Sequence, residues 1–190
     1  MKRIFTFCIL AGLFSMVSAL AIAQEVVHAM AGTVNSVDAT AKTVTVTGDE
    51  DGTAGTYDEL ADSKTHLAFD KSLRADSTSA GEFKKSGDRA IVYYYGYGSM
   101  RTVVALRDLG TGPFTKSGGT VIKFDGRDHT ISIKNDSGAV ESFKIESNTV
   151  ADTRQGAVSG SKYQPAKGTK VQLIATQVNG SPTAMFIESN

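Results

Sequence analysis

The chain contains two copies of itself. Ala31-Gly32-Thr33-Val34-Asn35-Ser36-Val37-Asp38 returns 87 positions later as Gly118-Gly119-Thr120-Val121-Ile122-Lys123-Phe124-Asp125. The same offset aligns Lys42-Thr43-Val44-Thr45-Val46 with His129-Thr130-Ile131-Ser132-Ile133, and Asp62-Ser63-Lys64-Thr65 resembles Glu146-Ser147-Asn148-Thr149. Further on, Ser86-Gly87-Asp88-Arg89-Ala90 matches Lys167-Gly168-Thr169-Lys170-Val171 at an offset of 81. That offset runs without a gap to Thr102-Val103-Val104-Ala105-Leu106 against Thr183-Ala184-Met185-Phe186-Ile187. The second copy is therefore six residues shorter, and the loss falls in its middle. A repeated unit of this size must be one small structural module, solved twice with different side chains.

The pattern within each copy is that of strands. Thr43, Thr45 and Thr47 interleave with Val44 and Val46, as Thr130, Ser132 and Lys134 do with Ile131 and Ile133. Period-two alternation of β-branched and polar residues predicts half-buried strands. Five are expected per copy: near 31–38, 42–48, 55–69 (bent or broken), 89–97 and 100–109, then 118–125, 129–135, 140–146, 169–177 and 182–188. Polar turns separate them, at Asp49-Glu50-Asp51-Gly52 and at its counterpart Asn135-Asp136-Ser137-Gly138. Asn179-Gly180 is a hairpin signal, because a type I′ turn needs positive φ at both central residues; Gly98-Ser99 holds the equivalent place. Residues 78–85 and 158–165 are each expected to form a turn of helix at most.

These elements predict an all-β fold: two tandem five-stranded OB-like small barrels, at 24–110 and 118–190, joined by a Gly- and Pro-bearing linker at 111–117. A β-sandwich spanning both copies is the alternative. A repeated unit more naturally closes on itself.

The start of the chain reads as a secretory signal. Lys2 and Arg3 precede an apolar run, and Ala21-Ile22-Ala23 fits a small-x-small cleavage site before Gln24. Removing 1–23 leaves 167 residues, with 18 Lys and Arg against 20 Asp and Glu, so the charge is −2. Cys8 leaves with the signal, and packing alone must hold the mature chain together. The expected location is periplasmic or extracellular, with no stable membrane span after cleavage. The charge balance argues against a nucleic-acid partner held by counterion release.

The sequence Gly-Thr-Val-x-x-Val-Asp (32–38), followed by Lys-Thr-Val-Thr-Val (42–46) and by Gly-Asp-Arg (87–89) before a strand, resembles two related bacterial groups. One is a family of secreted OB-like domains of unknown function, often found in tandem. The other, more distant, is the periplasmic copper/silver-binding chaperone family, itself a five-stranded OB barrel. The resemblance covers both copies. The copper family binds its ion with a His, a capping Trp and a Met-x-Met pair, soft ligands suited to Cu(I) and Ag(I). This chain has no Trp and no Met-x-Met, so no ligand position carries over.

Three groups of residues carry candidate chemistry. His28 and Met30, two apart in an extended segment, are weak metal candidates, with His66 as a third ligand from elsewhere. Two local ligands are few for a soft metal, and the segment also reads simply as the entry to the first strand. Asp49-Glu50-Asp51-Gly52 is a fragment of a calcium loop, without the later Glu, and is expected to be a solvated turn. The third group is Tyr93-Tyr94-Tyr95-Gly96-Tyr97-Gly98. Alternation puts Ile91, Tyr93, Tyr95 and Tyr97 on one face, and Ala90, Val92 and Tyr94 on the core face. That outward row is expected to be a ligand or partner face; burial against the other copy or a partner is favoured over a stacking platform. Copy two has Gln172, Ile174, Thr176 and Val178 there.

Enzyme signatures are scarce. Ser159-Gly160-Ser161-Lys162 matches Ser-x-x-Lys, but Ser-Asp-Asn and Lys-Thr-Gly do not accompany it. The sequence reading is therefore an exported, non-catalytic binding or structural module of the bacterial cell envelope. Its expected partner is an unknown protein or a saccharide, with no cofactor. A periplasmic metal-ion binder and an undetected hydrolase are the alternatives.

Overall fold

In a computed structural model the described residues are 24–49, 54–58 and 67–189. The signal segment 1–23, His66, and Glu50, Asp51 and Gly52 of the acidic turn lie outside them. The first copy contains β1 (Glu25–Val26), β2 (His28–Asp38), β3 (Thr43–Gly48), β4 (Ala54–Asp58), β5 (Leu67–Ala68), β6 (Arg89–Tyr95) and β7 (Thr102–Gly110). The second contains β8 (Thr115–Asp125), β9 (Thr130–Lys134), β10 (Val140–Thr153), β11 (Gly156–Ser159), β12 (Lys170–Val178) and β13 (Ser181–Ser189). The fold is all-β, as the alternation predicts. A short helix, α1 (Lys71–Ala75), starts on an Asp70 cap whose carboxylate accepts from the amides of Ser72 and Leu73.

The second copy is a closed five-stranded barrel in the order β8-β9-β10-β13-β12, with β12 returning to β8. β10 runs parallel to β13 and antiparallel to β9. The first copy is a half-barrel in the order β4-β3-β2-β6-β7, and among the described residues its edge strands β4 and β7 are not paired with each other. The difference lies in the strand that should close it. β10 is 14 residues long and, after an irregularity between Ile145 and Val150, continues along β13. Among the described residues the corresponding part of copy one contributes β4 and β5, and β5 pairs with β1. The edge of β7 is met by Thr78, whose amide donates to the Leu106 carbonyl at 2.7 Å.

The repeat is nevertheless written into the backbone. β2 bulges between Val34 and Ser36, and β8 between Val121 and Lys123, 87 positions on. Lys42 and His129, an equivalent pair, both hold positive φ (53° and 47°). Gly87 and Gly168 share a φ of 93° and 95° and donate to Val34 and Val121 at 2.7 and 2.8 Å. That left-handed conformation strains any residue with a side chain and explains a Gly at both sites. Asn179 and Gly180 have positive φ, as the type I′ turn requires.

The stretch 158–165 holds no more than a turn: Val158 and Ser159 end β11, and the Lys162 amide then donates to the Ser159 carbonyl at 2.9 Å. One local expectation is corrected. Strand β8 starts at Thr115, within the expected linker, because its first residues pair with β12. In 78–85 the expected turn is present as a single 3-10 turn at Ala80–Glu82.

Three apolar cores result. Val34, Val44, Val46, Val92 and Leu106 fill the half-barrel. Val121, Ile131, Ile133, Phe143 and Leu173 fill the closed barrel. The third lies between the copies, where Ala29, Ile91, Tyr93 and Ala105 meet Val150, Ala157, Ile174 and Phe186. The copies are thus packed against one another around an apolar core. Among the described residues no helix is long and apolar enough to cross a membrane.

Candidate functional site

The aromatic row divides. Ile91 and Tyr93 are both 0% exposed and belong to the core between the copies. Tyr93 stacks tilted on Phe69, with ring centroids 5.0 Å apart. Its hydroxyl is buried beside the Arg107 guanidinium, with no hydrogen bond of ordinary geometry among the described residues. Burial pushes that phenol well above its usual range. Tyr95 is half-buried, and Tyr97 is 82% exposed at the β6–β7 tip beside Met100. The row is therefore a continuous face only up to Tyr93, where the second copy covers it.

His28 and Met30 part company. The His28 Nδ1 lies 3.2 Å from both Asp152 carboxylate oxygens, across the contact between the copies. The Ala29 amide donates to Asp152 Oδ1 at 2.9 Å. Burial raises the Asp152 pKa, more than its bonds to Ala29 and His28 lower it. Met30 is buried within copy one, and the Arg101 guanidinium reaches its sulfur at 3.6 Å while lying 4.8 Å over the Tyr94 ring. Among the described residues no three His, Cys, Asp or Glu side chains gather as a metal-ligand group.

Ser159 is fully buried, with its hydroxyl 3.0 Å from that of Ser161, and Lys162 Nζ lies 3.0 Å from Asp70 Oδ2. The Ser159 amide also donates to Asp70 Oδ2, so the two residues tie copy two to the α1 cap of copy one. Asp49, from the acidic turn, plays a similar part. It accepts from both Arg89 guanidinium nitrogens and lies 3.0 Å from Lys116 Nζ of copy two. Burial opposes its ionisation, but Arg89 and Lys116 outweigh burial and hold its pKa below the usual value. Arg89 and Arg101 are thus turned to separate internal partners.

The cavity of interest lies beside the apolar contact, in a groove of about 750 Å³ walled by both copies. Its floor is the outer face of β8 and β12, where Gly118 pairs with Gln172 and Thr120 with Lys170. Glu188 follows on β13, opposite Gln172. Asp136 and Ser137 of the β9–β10 turn form one wall, and Ala31 and Asp49 of copy one the other. The size is that of a small-molecule site. The apolar residues beneath are spent: Val171, Leu173, Ile174 and Phe186 are each at most 5% exposed. Thr120, Asp136, Lys170 and Gln172 make no side-chain hydrogen bond among the described residues.

The groove exists because equivalent positions differ. Gly118 stands where copy one has Ala31, Gln172 where it has Ile91, and Glu188 where it has Arg107. Sequence reading sees the outward Gln172 but not the groove, since nothing in a repeat tells how its copies dock. The replacement of Ile91 by Gln172 is the one signal that marks this part of the face as wet.

No protein-family model matches the chain, and comparison with curated proteins and with solved structures finds no match either.

Proposed function

We propose that this chain is an exported, non-catalytic binding module of the bacterial cell envelope, and that the groove between its copies is the binding site. The carrying observation is that this groove is walled by both copies and presents Thr120, Asp136, Lys170 and Gln172, whose side chains make no hydrogen bond among the described residues. Asp136, Lys170 and Gln172 are exposed and Thr120 is half-buried, so their polar atoms are open to a ligand in the depression. The strand order β8-β9-β10-β13-β12, with β10 parallel to β13, supports reading the units as OB-like, the second closed and the first half-open. The location rests on the signal-like 1–23 segment of the sequence.

The test is amide-shift mapping of residues 24–190 against a broad library of polar small molecules, with each mixture followed for turnover. Shifts clustered at Gly118, Gln172 and Lys170, with every compound recovered unchanged, are expected. Shifts confined to other surfaces, or conversion of a compound, would sink the reading.

A further inference from the structure

We infer that the groove takes a neutral saccharide chain, an inference that rests on the binding-module reading. Three features of the lining select this chemistry. The first is charge. Asp49, Asp136 and Glu188 face Lys116 and Lys170, and Asp49 is already neutralised by Arg89. Carboxylates and ammoniums interleave, so no field of one sign draws in an anion or a cation. The second is surface. The apolar residues beneath the groove are covered and no aromatic ring stands exposed in it, which leaves nothing for a lipid tail or a stacked base. The third is backbone. β12, which carries Lys170 and Gln172, is paired on both sides over Val171–Ala175, by β8 and β13. With no free edge on β12, a peptide cannot add to that strand by main-chain pairing.

What remains suits an uncharged chain of hydroxyl groups. Gln172 offers both a donor and an acceptor, Lys170 donates, Asp136 accepts and Thr120 does either. Gly118 carries no side chain on the outward face of β8, so a flat ring can approach the strand itself. A Cβ built there would meet the Val171 carbonyl oxygen at 3.4 Å, Gln172 Cγ at 3.7 Å and Gln172 Cα at 4.0 Å, which is ordinary contact. Nothing within the fold therefore requires glycine at this position, whereas a bound ring would.

The experiment is calorimetry with amide-shift mapping on residues 24–190. The probes are the neutral pentasaccharides of glucose, N-acetylglucosamine and mannose, with oligogalacturonate and tri-alanine as charged comparators. The variants are Gly118→Val, which fills the depression, Gln172→Ala, which removes polar partners without adding bulk, and Tyr97→Ala as a distant control. At least one neutral pentasaccharide is expected to bind, with shifts at Gly118 and Gln172. Binding should weaken about tenfold in each groove variant, as for loss of one good polar contact, and stay unchanged in Tyr97→Ala. Binding in the groove by oligogalacturonate or tri-alanine alone overturns the saccharide inference and leaves the binding-module reading standing. Saccharide binding that neither groove variant weakens also overturns it. If no probe shifts the groove, the inference fails; the module reading falls separately, if the broad library above leaves the groove silent too.

Discussion

The two copies share a backbone plan and divide its uses. Their bulges, their positive-φ residues and their Gly87 and Gly168 contacts coincide, yet one sheet closes into a barrel and the other stays half-open. Their outer faces diverge further. Tyr93 and Ile174 are equivalent positions, as are Ala105 and Phe186, and all four bury in the core between the copies. One step away, Ile91 is buried while its equivalent Gln172 lines the groove. The same strand position thus glues the copies together in one half and faces a cavity in the other. Duplication preserved what the backbone needs and released what the outer face does.

The charged groups at the contact divide in the same way. Asp49 of copy one is held by Lys116 of copy two, and Asp152 of copy two by Ala29 and His28 of copy one. The first has a lowered pKa and the second a raised one. Their contributions to stability therefore run in opposite directions with pH.

The largest effect is expected at the apolar contact. Tyr93→Ala should destabilise by about 3–5 kcal/mol, and its equivalent Ile174→Ala by about 2–5 kcal/mol. Thermal melts should shift by roughly 2–4 °C for each kcal/mol. Two unchanged melts would mean that the copies do not share a core. Asp49→Asn should follow, at about 1–3 kcal/mol at neutral pH, measured by denaturant titration. Because folding lowers the Asp49 pKa, its contribution is present above the unfolded value of 3.8 and is lost as pH falls through the folded pKa. The variant and parent should converge in acid, and a constant gap down to that range would refute the pairing.

Asp152→Asn probes the opposite sign. Folding raises this pKa, so the contribution of the group is greatest below the unfolded 3.8 and declines as pH rises through the folded value. The variant should lose that decline, giving a flatter stability profile over the weakly acidic range. A profile that keeps the parent's slope would place the titration elsewhere. The smallest effect belongs to Tyr93→Phe. The hydroxyl forms no ordinary hydrogen bond among the described residues, so removing it should change stability by no more than about 0.5 kcal/mol or slightly increase it. A loss near that of Tyr93→Ala would show that the Arg107 contact, not ring packing, carries the residue.

Much of this was legible beforehand, and for identifiable reasons. Alternation placed Val44, Val46, Ile131 and Ile133 inside because the strand period ties burial to parity. Asn179-Gly180 announced its hairpin because few residues tolerate its φ values. The extension of β10 to Thr153 and the strand β11 were not legible. Their residues, Asn148 to Ser159, alternate poorly, and they are ordered by pairing with β13 and with each other. Helix α1 is five residues long, too short to leave a periodic trace. The candidate site was the least legible part. The Tyr row could be drawn from parity alone, but its division between Tyr93 and Tyr97 depends on where the second copy sits.

That equivalent residues such as Tyr93 and Ile174 lie on the two sides of one contact sets what a single chain can do that a symmetric pair of chains cannot. A surface that meets its own counterpart is what a two-fold dimer presents, residue i facing the patch that contains i. Fusing two such subunits into one chain frees each half to drift, since symmetry no longer copies every substitution to both sides. An Ala31 can become a Gly118 and an Ile91 a Gln172 in one half only. A symmetric pair would have had to open its seam twice or not at all; the fused chain opens it once, and keeps the other half shut.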